Sequence, residues 1–86
     1  MSRLFAAALI AVGLSASATP AAAEYVCGLN PYGDNFLSLR SGPGTGYPEI
    51  TRLGPGAGLA VVRGSGGWLY VRTRYGAGWV AARYVC

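Results

Sequence analysis

Residues 37–50 read LSLRSGPGTGYPEI, and this stretch decides the class of fold. Leu37 and Leu39 alternate with polar residues, which is the period of a β-strand with one buried face. Glycine and proline then dominate residues 41–46, and both residue types favour turns because of the backbone angles they allow or impose. The stretch therefore predicts a short strand and a long loop. Apolar residues at positions 50 and 53 predict a second short strand behind the loop.

The chain after residue 23 continues this alternation of short apolar runs and glycine-rich turns. No window in it has the three-and-four spacing of an amphipathic helix. Residues 64–67 are Gly-Ser-Gly-Gly between two β-rich runs, which predicts a hairpin. We therefore expect an all-β domain, a small five-stranded barrel without exposed strand edges. Its last three strands are predicted at residues 59–63, 68–72 and 76–80, followed by one helical turn at residues 81–83.

Residues 1–23 have the organisation of a secretory signal peptide. A charged residue stands near the start, residues 4–14 are almost entirely apolar, and residues 21–23 are three alanines of the size that signal peptidase accepts. The apolar run is shorter than the roughly 20 residues of a membrane-spanning helix. The residues before Cys27 also differ from a lipoprotein cleavage box. We expect cleavage after Ala23, no stable membrane anchor, and a secreted or periplasmic protein.

Cys27 and Cys86 are the only cysteines and stand near the two ends of the mature chain, residues 24–86. Two cysteines in an exported protein predict a disulfide, and two free thiols are the alternative. The mature chain has 63 residues, and a domain of that size buries only about 60% of its unfolded surface. Closing a loop of about 60 residues stabilises the fold by roughly 4 kcal/mol in the chain-entropy model. A disulfide would therefore supply a large share of the stability.

Both faces of the third and fourth predicted strands carry apolar side chains. Residues 59–62 are all apolar, and in residues 68–71 aromatic residues alternate with aliphatic ones. Either an N-terminal extension, residues 24–35, lies over part of the outer face, or that face meets a partner. We favour cover by the extension, because the disulfide gives it a fixed place to dock.

The charged residues of the mature chain are six arginines and three acidic residues, without lysine or histidine. A net charge of +3 favours anionic neighbours such as wall polymers, but no basic run could track a phosphate backbone, so we expect no nucleic-acid partner. Without histidine or free cysteine, neither a nucleophile–base pair nor a nitrogen or sulfur metal site can be assembled. A glycosidase would need Asp34 and Glu49 in one cleft, yet Asp34 stands in a turn context. We expect no enzyme activity, cofactor or metal.

Three blocks of this sequence resemble the bacterial SH3 domain family. They are LSLRSGPGTGYPEI at residues 37–50, GGWLYVR at residues 66–72 and GAGWVAARYV at residues 76–85, in the family's order and spacing. The resemblance implies an SH3-like barrel at residues 36–86, used on exported bacterial proteins to recognise cell-wall material or peptides, without catalysis. The extension at residues 24–35 lies outside the shared pattern, and we expect no enzymatic domain beside the barrel.

The aromatic residues are the candidates for binding. SH3-type barrels present a ligand face where the long loop, the hairpin and the helical turn meet, and aromatic side chains form such grooves. Trp79 is assigned to packing, and Arg40 to holding the loop by bonds to its carbonyls or to Glu49. We predict an exposed aromatic strip of Tyr47, Trp68 and Tyr84, with Tyr70, Arg72 and Arg74 beside it.

The expected partner is cell-wall peptide or glycan, or an envelope protein, bound by a monomer. Large rings and forked arginine donors carry much of the energy in interfaces, and a ligand carboxylate could approach the arginines. The alternative is a small cationic structural or effector protein that acts on membranes or on other proteins without a defined groove.

Overall fold

Six antiparallel strands and one short 3-10 turn make up the secondary structure of the protein in a computed structural model that describes residues 22–86. The all-β prediction is confirmed. The five predicted strands are present, and the extension adds a sixth, which the sequence analysis missed. All but the last two residues of the predicted signal peptide lie outside the described residues. The elements are β1 (Glu24–Tyr25), β2 (Leu37–Arg40), β3 (Glu49–Leu53), β4 (Gly58–Ser65), β5 (Trp68–Thr73), β6 (Gly76–Ala81) and the 3-10 turn (Ala82–Tyr84).

The strands form one sheet in the order β1-β4-β5-β6-β2-β3. The hairpin predicted between β4 and β5 is present, and its turn uses Gly66 and Gly67 at φ angles of 55° and 84°, a region that favours glycine. Strands β5 and β6 pair along their whole length, from Trp68 opposite Ala81 to Thr73 opposite Gly76. Within residues 22–86 no ladder joins β3 to β1, the two outer strands, so closure of the barrel stays a prediction.

The core lies on one face of the sheet and consists of aliphatic side chains. Alternation along each strand places these residues on the same side, because successive side chains of a strand point to opposite faces. Fully burying such a side chain stabilises the fold by about 1.5–3 kcal/mol. The buried residues are Val26, Leu37, Leu39, Leu53, Leu59, Val71 and Val80.

Trp79 does not belong to this core, so its assignment to core packing is corrected. Its neighbour Val80 is the residue that enters the core, and Trp79 is half-buried on the opposite, outer face. There its ring packs on that of Tyr70 with centroids 5.4 Å apart. The period of two forces this outcome, because Val80 and Trp79 cannot share a face.

The N-terminal extension docks at an edge of the sheet. Its strand β1 pairs with the start of β4, and Val26 next to it is buried in the core. Further along β4, Val61 and Val62 remain 38% and 46% exposed. The extension therefore covers one edge and leaves this apolar part of β4 open, which is less cover than we expected.

A disulfide joins Cys27 to Cys86 as predicted, with Cα atoms 5.9 Å apart. Backbone hydrogen bonds accompany it: the N–H groups of Tyr25 and Cys86 donate to each other's carbonyl at 3.0 and 2.9 Å. The N–H of Cys27 donates to the Tyr84 carbonyl at 2.9 Å. The two ends of the described chain are thus clamped together as a short antiparallel pair.

Replacing both cysteines by serine should destabilise the protein by about 2–5 kcal/mol, because the unfolded chain regains the freedom of a long loop. Urea unfolding followed by tryptophan fluorescence would measure the loss. Reducing the wild-type protein should reproduce it, and an unchanged unfolding midpoint would contradict the clamp.

Gly78 lets β6 approach β2 closely. A Cβ atom at this position would lie 2.7 Å from the Arg40 carbonyl oxygen and 2.9 Å from Cγ of Leu39. Arg40 pairs with Trp79 at this crossing, so β2 would have to move away.

Gly78→Ala should therefore destabilise the protein by about 1–3 kcal/mol, the usual cost of overpacking. Gly54→Ala is the matched control, since a Cβ there has no heavy atom within 4 Å; its effect should stay within about 1 kcal/mol and can be stabilising. Equal unfolding midpoints for the two variants would refute the argument.

Candidate functional site

An open groove of about 1030 Å³ lies between the extension and the outer face of the sheet. One wall comes from the extension and the residue that follows it, Phe36. The floor comes from strands β2 and β3, and the other wall from Trp68 and the 3-10 turn. The side chains that line the groove include those of Asp34, Phe36, Trp68, Arg83 and Tyr84 on its walls and Ser38, Arg40, Glu49 and Arg52 on its floor.

Trp68 and Tyr84 both line the groove, because β5 begins opposite the end of β6. Trp68 stands opposite Ala81, whose methyl group leaves space for the indole on the outer face. The chain then turns, and the N–H of Ala82 donates to the Gly67 carbonyl at 2.9 Å. Tyr84 follows in the turn and is half-buried like Trp68. These two members of the predicted aromatic strip are therefore brought together.

Tyr47, the third member, lies in the long loop and does not line the groove. Its ring fills the space beside Gly42, where an added Cβ would overlap it. The guanidinium of Arg40 donates to the Tyr47 carbonyl at 3.0 Å. The predicted role of Arg40 in holding the loop is confirmed by this bond, while a binding role for Tyr47 stays a prediction.

Tyr70 belongs to a second cluster on the same outer face, outside the groove. The guanidinium of Arg63 lies 4.5 Å from the ring centroid of Tyr70 and 5.3 Å from that of Trp79. These are distances of cation–π contact. Arg63 was missed from the sequence, although it stands opposite Tyr70 in the hairpin.

The two arginines predicted beside the aromatic strip lie in different elements, Arg72 in β5 and Arg74 in the turn that follows. Arg72 is exposed on the outer face between Ala60 of β4 and Ala77 of β6. Strand β5 ends at Thr73, so Arg74 lies in the turn, where its guanidinium is 5.5 Å from the Tyr75 ring centroid. A binding role for Arg72 and Arg74 stays a prediction.

Glu49 on the floor of the groove is held by two donors. The Ser38 hydroxyl donates to Oε2 at 2.6 Å, and Nε of Arg52 donates to Oε1 at 2.9 Å. The Ser38 hydrogen bond, together with Arg52, holds the pKa of the Glu49 carboxyl below its ordinary value. Arg52 also lies over the Phe36 ring, 4.1 Å from its centroid. Glu49 therefore stays anionic in the groove.

Most residues that line the groove were not predicted as binding residues, among them Phe36, Ser38, Arg52 and Arg83. The sequence contained a pattern that could have identified two of these four residues. Ser38 is one of the polar residues that alternate with the leucines of β2, and Arg52 stands opposite Ser38 in the β2–β3 pair. For Phe36 and Arg83 the position depends on how the extension docks, which no local pattern describes.

The groove contains no constellation for metal chemistry. Within residues 22–86 no group of three or more histidine, cysteine or acidic residues could hold a metal ion. In the same part of the chain, no helix has the length and apolar character needed to cross a membrane.

Comparison with known proteins identifies the class. The family model of the bacterial SH3 domain matches residues 35–85, and the chain belongs to this family. It is also similar to the Bacillus subtilis protein named "Putative N-acetylmuramoyl-L-alanine amidase YrvJ", with 36% identity over 52 residues. That match covers 60% of this chain and 10% of the length of the amidase relative.

Ser38→Ala should raise the pKa of Glu49 toward its ordinary value, because it removes the strongest contact that favours the carboxylate. A pKa lowered by folding means that the contribution of Glu49 to stability is present above its unfolded pKa and is lost as the pH falls through the folded pKa. The variant should therefore lose less stability than the wild type on acidification. NMR titration of the side-chain carboxyl would measure the pKa. Ser41→Ala is the control, and an unchanged Glu49 pKa in Ser38→Ala would contradict the assignment.

Proposed function

We propose that the protein is an exported, non-catalytic binding module that recognises cell-wall peptide in the groove. One observation carries this proposal. A bacterial SH3 domain presents a groove in which two aromatic side chains, Trp68 and Tyr84, stand with arginine and carboxylate groups. Aromatic rings supply contact area, and charged groups orient a polar ligand, which together are the means of peptide recognition in such domains.

The cell wall is the setting that the comparison favours. The similar protein is named as a putative N-acetylmuramoyl-L-alanine amidase, and N-acetylmuramoyl-L-alanine is a constituent of the bacterial cell wall. The similarity covers 10% of that protein, so it concerns a small part of it. We infer that this part and our chain share a recognition role rather than the hydrolytic one.

The chemistry of the groove supports binding without catalysis. Both oxygens of Glu49 already accept hydrogen bonds, and its pKa is lowered, which is the opposite of what a general acid needs. Cys27 and Cys86 are bonded to each other, so neither is a nucleophile.

The disulfide also supports the proposal that the protein is exported. The disulfide between Cys27 and Cys86 is a bond that persists outside the reducing cytoplasm. We therefore propose a signal peptide at residues 1–23, an extension at residues 24–35 and a closed SH3-like barrel at residues 36–86. The mature protein is proposed to be a monomer, secreted or periplasmic.

The extent of the site along the sheet is open to direct measurement. Tyr70 and Arg72 share the outer face of β5 with Trp68, so a long ligand that leaves the groove would cross them. Tyr47 and Arg74 lie in the two flanking loops. We keep these four residues as predicted contacts outside the groove.

Sedimentation of the exported protein with purified sacculi tests the proposal. Trp68→Ala should weaken binding by about 2 kcal/mol, roughly 30-fold, as expected for an aromatic residue central to an interface. Tyr75→Ala is the matched control, because Tyr75 is 58% exposed and lies outside the groove; it should bind like the wild type. Arg72→Ala tests whether the site extends along β5.

Each variant is first shown to unfold cooperatively, so that a lost fold is not read as a lost site. Failure of the wild type to sediment with sacculi would overturn the proposal. Sedimentation with anionic liposomes instead would favour the alternative, a cationic protein that acts on membranes. Equal binding by Trp68→Ala and the wild type would place the site elsewhere on the surface.

A further inference from the structure

The charged side chains of the groove fall into two groups, those with partners inside the protein and those without. Three arginines and two acidic residues line the groove. Arg52 and Glu49 form the only ion pair within residues 22–86, and Arg40 donates to the Tyr47 carbonyl. These three groups are committed to holding the floor and the loop.

The remaining two charges are Arg83 on one wall and Asp34 on the other. Neither side chain makes a hydrogen bond or ion pair in the part of the chain that the structure describes. The guanidinium of Arg83 lies 4.9 Å from the Tyr84 ring centroid, so the ring supports it without using its N–H donors. One cation and one anion are therefore left for a ligand.

We propose that the groove selects peptides that carry both a free carboxylate and a free ammonium group, with Arg83 receiving the carboxylate and Asp34 the ammonium. This inference rests on the proposed function and refines it. The planar fork of arginine matches a carboxylate with two parallel hydrogen bonds. An aspartate is the complementary acceptor for an ammonium.

The charges on the floor of the groove favour a ligand that carries both a positive and a negative charge over a polyanion. Because Glu49 is held anionic by Ser38 and Arg52, the positive charge of Arg52 is offset where the ligand would lie. A polymer of repeated negative charges could approach Arg83 but would also lie against the carboxylates of Glu49 and Asp34, and like charges repel. Trp68 and Tyr84 then provide apolar area for the part of the peptide between its charged ends.

The inference is tested by measuring the binding of chemically blocked peptides to the wild-type protein and to variants. The probes are one synthetic wall stem peptide with a free amine and a free carboxylate, its N-acetylated form, its C-amidated form, and the doubly blocked form. Their affinities for the exported protein are measured by NMR titration. Each single block should weaken binding by the wild type about tenfold, because a hydrogen bond to a charged group is lost.

The two groove variants should then separate the two ends of the ligand. Arg83→Gln should bind the free and amidated peptides equally and remain sensitive to acetylation. Asp34→Asn should show the reverse. Arg63→Gln and Glu24→Gln are the matched controls, since each removes the same charge outside the groove; both should keep the wild-type preference for the unblocked peptide.

The outcomes distinguish this inference from the proposed function. Equal binding of all four peptides by the wild type, or retained discrimination in both groove variants, would overturn the pairing of Arg83 and Asp34 with the ligand. Sedimentation with sacculi without affinity for any peptide would also overturn it and leave a wall-binding role in place. If the wild-type protein neither sedimented with sacculi nor bound any of the peptides, the proposed function itself would be refuted.

Discussion

The disulfide between Cys27 and Cys86 is the constraint on which the rest of the site depends. The groove has one wall from the extension and one from the 3-10 turn, and these walls belong to opposite ends of the described chain. The N–H of Cys27 donates to the carbonyl of Tyr84, so the bond that closes the chain also sets the two walls side by side. The same clamp holds Val26, the neighbour of Cys27, in the core.

The two faces of the sheet differ: one holds the core, and the other carries the aromatic residues and arginines of the proposed binding site. Aliphatic side chains at every second position of the strands are buried on the inner face, where Val71 and Val80 are fully buried. The intervening positions carry rings and arginines on the outer face. Trp68 faces the groove, while Tyr70 and Trp79 support the guanidinium of Arg63 beside it. Successive side chains of a strand point to opposite faces of the sheet. A register shift of one residue would therefore move every side chain of the strand to the other face.

Local patterns in the sequence predicted most of the fold and part of the site. Alternation and turn residues located five of the six strands, and the cysteines indicated the disulfide. Strand β1 was missed because two residues carry no period, and its existence depends on pairing with β4. Of the predicted aromatic strip, Trp68 and Tyr84 line one groove and Tyr47 does not; that these residues bind a ligand stays a prediction. Arg83 and Phe36 were missed because the docked extension, a long-range contact, decides what stands opposite them.

The small size of the domain explains why the disulfide contributes so much to its stability. Sixty-three residues after the predicted signal peptide offer a core of seven buried aliphatic side chains. So small a core leaves little net stability once the conformational entropy of the chain is subtracted. A crosslink between the chain ends constrains the unfolded state most, because the loop it closes is the longest available. The same ends form the walls of the groove. The disulfide and the backbone hydrogen bonds beside it, from Cys27 to Tyr84 and between Tyr25 and Cys86, therefore hold the two walls of the groove together.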